Sequence, residues 1–216
     1  MNETDKIPAA EVDQTNKQIL NSPENIENTN EGGIVFFPVS EGKLITLYIL
    51  SFGLYGVYWF YKNWKLQENH MDKKIYPVWR AIFSIFFTHS LFKRIDQHTS
   101  HLEKQHKFNA NVLATFFVAA IVVSYILDQL TMNSSMFGNM SITIIVTSVV
   151  LFLLSTYPLV KVQATVNRIN NDMLGYLNHN YNLWNYLLMA FGIILWIIFA
   201  LGILAESMGL VTTENM

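Results

Sequence analysis

Leu44-Ile-Thr-Leu-Tyr-Ile-Leu-Ser-Phe-Gly-Leu-Tyr-Gly-Val-Tyr-Trp-Phe-Tyr-Lys-Asn-Trp64 carries no charge between Lys43 and Lys62. Those 18 uncharged residues would rise about 27 Å as one α-helix, close to the hydrocarbon thickness of a bilayer. Tyr58, Trp59, Phe60, Tyr61 and Trp64 crowd around Lys62 and Lys65 at its far end. Rings with a polar edge settle at headgroup level, and lysine reaches phosphate along its apolar stem. The stretch predicts a membrane crossing over 44–64. It sets the class expected of the whole chain, an all-α integral membrane helical bundle.

Composition points the same way. The 216 residues are 51% hydrophobic and 14% charged, against about 25% charged in soluble domains. The charge is also segregated. Residues 1–42 hold two Lys and eight acids, whereas 62–107 hold nine Lys or Arg and four acids. Cations beside apolar segments mark the cytoplasmic side, and a basic loop attracts anionic headgroups. The expected partner is therefore the phospholipid bilayer, with another membrane protein or a second copy beside it, and no nucleic acid. The chain has no cysteine, which excludes disulfides, thiolate metal sites and cysteine nucleophiles.

Before the opening stretch, residues 1–33 read as a disordered acidic tail, because so polar a segment buries too little surface to offset its ordering entropy. No secretory signal pattern is read there, so the segment at Leu44 is expected to act as an uncleaved targeting signal. Ile34–Val39 is a short apolar lead-in broken by Pro38, and Ser40 is the expected N-cap of the helix starting near Gly42.

After it, Arg80 and Lys93 bracket only 12 uncharged residues, too few to span. With Phe83, Phe86 and Phe87 on one side, 77–94 is expected as an interfacial or re-entrant amphipathic helix. Residues 95–108 should continue outward as an exposed helix. His98 and His101 stand three apart there, with Asp96 and Glu103 near, but exposed surface histidines are the commoner reading of such a pair. Further spans are expected at 110–128, 139–160 and 184–205, which gives about four in a transmembrane domain over 34–210. A short polar tail follows at 211–216.

Three threadings compete. With four spans and 77–94 lying flat, loops 62–107 and 161–182 are cytoplasmic and hold 11 of the 14 Lys and Arg. With five spans Arg80 is drawn towards the bilayer, where a central Arg costs ~2.5–3.5 kcal/mol. In the third, 44–64 and 77–94 form a re-entrant pair and the acidic head stays inside. The charge count favours the first, although that arrangement must export the acidic head.

No P-loop, Gly-x-Ser-x-Gly elbow, His-Glu-x-x-His helix or dinucleotide fingerprint occurs, and the four spans hold no ionisable residue in their interiors. No catalytic, cofactor or metal site is assigned. The expectation is a non-enzymatic scaffold or regulatory membrane component with a basic cytoplasmic face. Trp59, Lys62, Trp64, Lys65, Arg80, Lys93 and Arg94 are the expected headgroup anchors. The alternatives are a transport or channel component, and a lipid-acting enzyme using His89, His98 or His101.

The run Phe52-Gly-Leu-Tyr-Gly-Val-Tyr-Trp-Phe-Tyr-Lys-Asn-Trp-Lys65, followed by Pro77-Val-Trp-Arg-Ala-Ile-Phe83, resembles a family of small bacterial multi-pass membrane proteins with a domain of unknown function. The likeness covers about residues 34–95. It implies a bacterial cytoplasmic (inner) membrane and carries no assigned activity. Some members of that family place a metal-binding ribbon before the first span, which a chain without cysteine cannot build.

Overall fold

A computed structural model describes residues 33–99, 108–132 and 141–208. The chain divides into Met1–Ile34 and Val35–Met216. Of the first unit only Gly33 and Ile34 are described, both exposed. The expected disordered tail, the 211–216 tail, most of the helix expected over 95–108 and His101 lie outside the described residues.

Every regular element among the described residues is helical. The α-helices are α1 (Glu41–Leu50), α2 (Leu54–Gln67), α3 (Pro77–Ile82), α4 (Ser84–Gln97), α5 (Ala110–Met132), α6 (Ser141–Leu154), α7 (Thr156–Ile169) and α8 (Leu183–Ser207), with short 3-10 turns at Glu68–His70 and Tyr176–Asn178. Among the described residues three helical segments are long and apolar enough to cross a membrane, at Ala110–Gln129, Ile142–Ile169 and Leu183–Ala205. They correspond to three of the four expected spans.

The stretch 44–64 is not one helix. α1 starts where Ser40, in extended backbone, accepts from the Lys43 N–H at 3.4 Å, as its N-cap reading expects. It ends at Ser51-Phe52-Gly53. Phe52 and Gly53 both adopt positive φ, 50° and 82°. The Gly53 N–H returns to the Tyr48 carbonyl at 2.8 Å and the Phe52 N–H to that of Ile49 at 3.2 Å, the paired closure of a Schellman motif. The Ser51 hydroxyl then accepts from the Tyr55 N–H at 2.9 Å and starts α2. The two limbs have 10 and 14 residues, about 15 and 21 Å, each short of the ~30 Å hydrocarbon core.

The turn is held from outside by α8. Phe52 stacks on Trp196 with centroids 4.3 Å apart, and the Trp196 indole donates to the Ile49 carbonyl at 3.0 Å. Gly192 lets the helices meet, since a Cβ there would collide with the Leu50 carbonyl oxygen. Beyond the turn α2 comes back along the N-terminal part of α8, where Tyr55 and Tyr58 line one groove with Trp184 and Leu188. Gly56 faces the Tyr48 ring so closely that a Cβ would stand 2.8 Å from its edge. The chain climbs along α8 and descends again.

Two other breaks have local causes. Pro77 opens α3 at its first position, where a missing N–H costs nothing, and Phe83 separates α3 from α4 with its ring stacked on Trp79. The expected helix over 77–94 is thus two, and the second runs on to Gln97. Between α6 and α7, Pro158 can neither donate to nor tolerate the carbonyl of residue 154, so the helix restarts after Ser155.

The core is aromatic. Phe36, Trp59, Phe60, Trp64 and Phe92 are buried together with Leu44, Leu91, Ile95, Leu159 and Val162. They come from 35–67, α4 and α7, whereas α8 keeps most of its apolar surface open.

Candidate functional site

Residues 35–39 cross this core without regular secondary structure, and backbone buried that way must find partners for its polar groups. Side-chain amides supply them. The carbonyl of Val35 accepts from Gln67 at 2.7 Å, that of Phe36 from Asn170 at 2.7 Å and that of Phe37 from Gln163 at 3.2 Å. Those of Pro38 and Val39 accept from Asn178 and Asn167, both at 3.0 Å. On the donor side, the N–H groups of Val35 and Phe37 meet the side-chain oxygens of Asn170 and Asn63, each at 3.1 Å. Pro38 brings no N–H. All five carbonyls are satisfied by Asn or Gln.

The ladder is internally braced. Asn63 donates to the Trp59 carbonyl one turn back, and Gln163 donates to Asn167 on the same face of α7 at 2.7 Å. The Gln163 oxygen accepts from the Trp59 indole at 2.6 Å. A buried amide network fixes one register only when every member is satisfied. Lys43 seals the end of the ladder. Its side chain is 4% exposed, and its ammonium donates to Asn178 and to the Asn180 carbonyl at 2.7 and 2.6 Å. Burial lowers its pKa.

The expected anchors divide into three groups. Trp59 and Trp64 are both fully buried: Trp59 bonds Gln163 of α7, and Trp64 lies against Arg80 of α3 and Phe87 of α4. The Arg80 guanidinium lies over the Trp64 ring, 4.3 Å from its centroid, and over Phe87 at 5.1 Å. Burial, helped by nearby Arg94, lowers the Arg80 pKa. Arg94 donates to Gln67 and to the His70 carbonyl, so it ties α4 to the end of α2. Lys62 covers the Phe37 ring at 5.6 Å. Lys65 is exposed and paired with Glu68 at 2.6 Å, which raises its pKa. Lys93 is exposed. The cations split into surface charges and cross-braces.

Beside them stands a ridge that sequence reading finds only in part. Tyr76, Val78, Trp79, Ile82, Phe83 and Phe86 are all exposed, Phe86 at 78%, while Thr88, Leu91, Phe92 and Ile95 turn inward. Exposed Lys73 and Lys74 precede it. Exposed apolar patches rimmed by polar residues mark binding surfaces, membranes among them.

Among the described residues His89 and His98 have separate partners. His89 meets the Thr115 hydroxyl at 3.1 Å, and His98 sits edge-on to Phe36 and bonds the Arg94 carbonyl. Among the described residues no three His, Cys, Asp or Glu side chains gather as a metal site would need.

Comparison with family models, with curated proteins and with solved structures gives no match for this chain.

Proposed function

We propose that this chain is a multi-pass protein of a bacterial cytoplasmic membrane, a non-enzymatic scaffold or regulatory component that works through a basic face held against anionic headgroups. Three helical segments cross the bilayer in this reading, α5, α6–α7 and α8. The pair α1–α2 enters and returns on one side, and α3–α4 lies obliquely at the boundary of headgroups and acyl chains.

The observation that carries the threading is the path of 44–64 along α8, up to Trp196 and back to Trp184. It favours re-entry of 44–64 by itself over four full spans, and shares with the third threading only the inside position of the acidic head. All 12 Lys and Arg from Lys43 to Arg168 then fall in segments on one side, and the opposite segments, 129–140 and 206–216, contain none. That asymmetry is what the positive-inside rule requires. Residues 1–42, with their eight acids, need not cross. Non-helical backbone at membrane depth is tolerated where protein buries it, and the Trp196 cap on Ile49 supplies that cover.

The working face follows from the ridge of Trp79, Phe83 and Phe86 beside Lys73, Lys74 and Lys93. Each basic residue near an anionic surface contributes about 1 kcal/mol. Replacing Lys73, Lys74 and Lys93 together by Glu should leave insertion intact and abolish preferential retention of phosphatidylglycerol over phosphatidylcholine during purification. Unchanged lipid retention would remove this face from consideration.

A further inference from the structure

The turn at Phe52–Gly53 opens on two cavities of about 330 and 240 Å³, which share Phe52, Ser124, Asp128 and Phe152 in their walls. The smaller one has an unusual lining. Phe52, Phe152, Trp196 and Phe199 form its aromatic walls, and among the described residues Asp128 is the one charged side chain in the lining of either cavity. Phe52 and Trp196 are stacked, and Phe199 stands edge-on to Trp196 with centroids 5.8 Å apart. Ser124 and Ser148 spend their hydroxyl hydrogens on the carbonyls of Ser148 and Ile145, so their oxygens remain acceptors.

We infer that this cavity is a binding site for a small organic ammonium group, held by the Asp128 carboxylate against the rings of Phe52, Phe152, Trp196 and Phe199.

The chemistry of the lining selects that class. Aromatic faces carry negative potential and attract a cation within about 6 Å of the ring centroid, more strongly when water is excluded. A carboxylate has about four acceptor sites, so Asp128 can serve a neighbour in the chain and still receive an ammonium. Among the described residues no Lys or Arg lines either cavity, so an anion would meet only repulsion from Asp128. A hydrated inorganic cation would find few oxygens to replace its water, whereas an alkylated ammonium sheds water readily and fits apolar walls. Asp128 is next to last in the apolar segment Ala110–Gln129 and is exposed where it lines the two cavities, so an ammonium group can approach its carboxylate from outside.

The same head chemistry occurs on a lipid and on a free aqueous amine, and the test separates them. The purified chain in a neutral maltoside detergent is titrated with radiolabelled choline, and 3,3-dimethylbutan-1-ol, its uncharged isostere, serves as competitor. Saturable choline binding is expected, with the alcohol failing to compete. Asp128→Asn should weaken binding about five- to tenfold, as expected when a close opposite charge is lost near a protein surface, while Asp128→Glu retains it. Unchanged thermal unfolding of the Asn variant shows that the loss is not a folding defect. Repeating the titration in nanodiscs identifies the source. Choline binding suppressed by phosphatidylethanolamine but not by phosphatidylglycerol indicates a lipid headgroup, and equal binding in both indicates a free amine. Competition by the alcohol as strong as by unlabelled choline, or Asn-variant affinity within about twofold of the parent, would overturn the assignment.

Discussion

The indole N–H of Trp59 donates to the side-chain oxygen of Gln163 at 2.6 Å, with both residues fully buried. This bond joins the aromatic run of α2 to the amide face of α7, and so to the segment 35–39 that α7 holds. Trp59→Phe leaves the Gln163 oxygen buried without its donor and should cost about 1–3 kcal/mol. Gln163→Leu also strips the Phe37 carbonyl and Asn167 of a donor and should cost more. Thermal unfolding of both single variants and the double variant should give a coupling energy of about 0.5–3 kcal/mol; additive losses would mean the bond carries little.

Asn170 serves three backbone groups of Val35 and Phe36. Removing it as Asn170→Ala should loosen the segment locally by about 1–2 kcal/mol without unfolding the bundle, which makes cleavage roughly 5–30 times faster. Limited proteolysis followed by mass spectrometry reads this directly, with new cuts expected between residues 33 and 40. An unchanged cleavage pattern would show that the remaining amides hold the segment alone.

Gly192 and Gly202 lie on the same helix in different surroundings. A Cβ at 192 collides with the Leu50 carbonyl, while at 202 it meets nothing within 4 Å. Gly192→Ala should therefore push α8 away from α1 and lower the melting temperature. Gly202→Ala should be neutral or stabilise by up to about 1 kcal/mol through helix propensity. Equal effects would contradict the close approach.

At Gly53 the space is ordinary, since an added methyl group would sit 3.5 Å from the nearest atom of Phe152, but φ is 82°. Gly53→Ala isolates backbone strain, about 1–2 kcal/mol. Gly56→Ala tests the reverse case, a crowded site in regular helix where the Tyr48 ring must move. A harmless Gly53→Ala would argue for a continuous helix through this point.

Hydropathy suffices to read the all-helical class, the apolar segments near 110–128, 139–160 and 184–205, and side-chain chemistry suffices for the Ser40 cap. Neither can read the turn at Phe52. Ser-Phe-Gly is compatible with a helix, and what ends the helix is the Trp196 cap and stack, 147 residues from Ile49 in sequence. The tryptophans read differently for a related reason: Trp59 and Trp64 look like an interfacial belt when read along the chain, but Gln163 of α7 meets the first and Arg80 and Phe87 cover the second. The ladder does leave a trace. Asn63 and Gln67, and Gln163 and Asn167, are spaced four apart on otherwise apolar faces, a pattern that signals buried amides once two such faces meet. Asp128 reads as the edge of a span and matters only because the Phe52 turn brings a cavity to it.

The most direct test uses the absence of native cysteine. Single cysteines at 93, 86, 126 and 197 are labelled with a fluorophore in nanodiscs containing nitroxide lipids of graded depth. Position 93 should react at once with a membrane-impermeant maleimide, and 86 should be quenched by shallow nitroxides. Positions 126 and 197, on α5 and α8, should be shielded from the maleimide, with 197 quenched by deeper nitroxides than 126. Full aqueous labelling at 126 and 197, with no quenching at 86, would contradict a bilayer-embedded bundle.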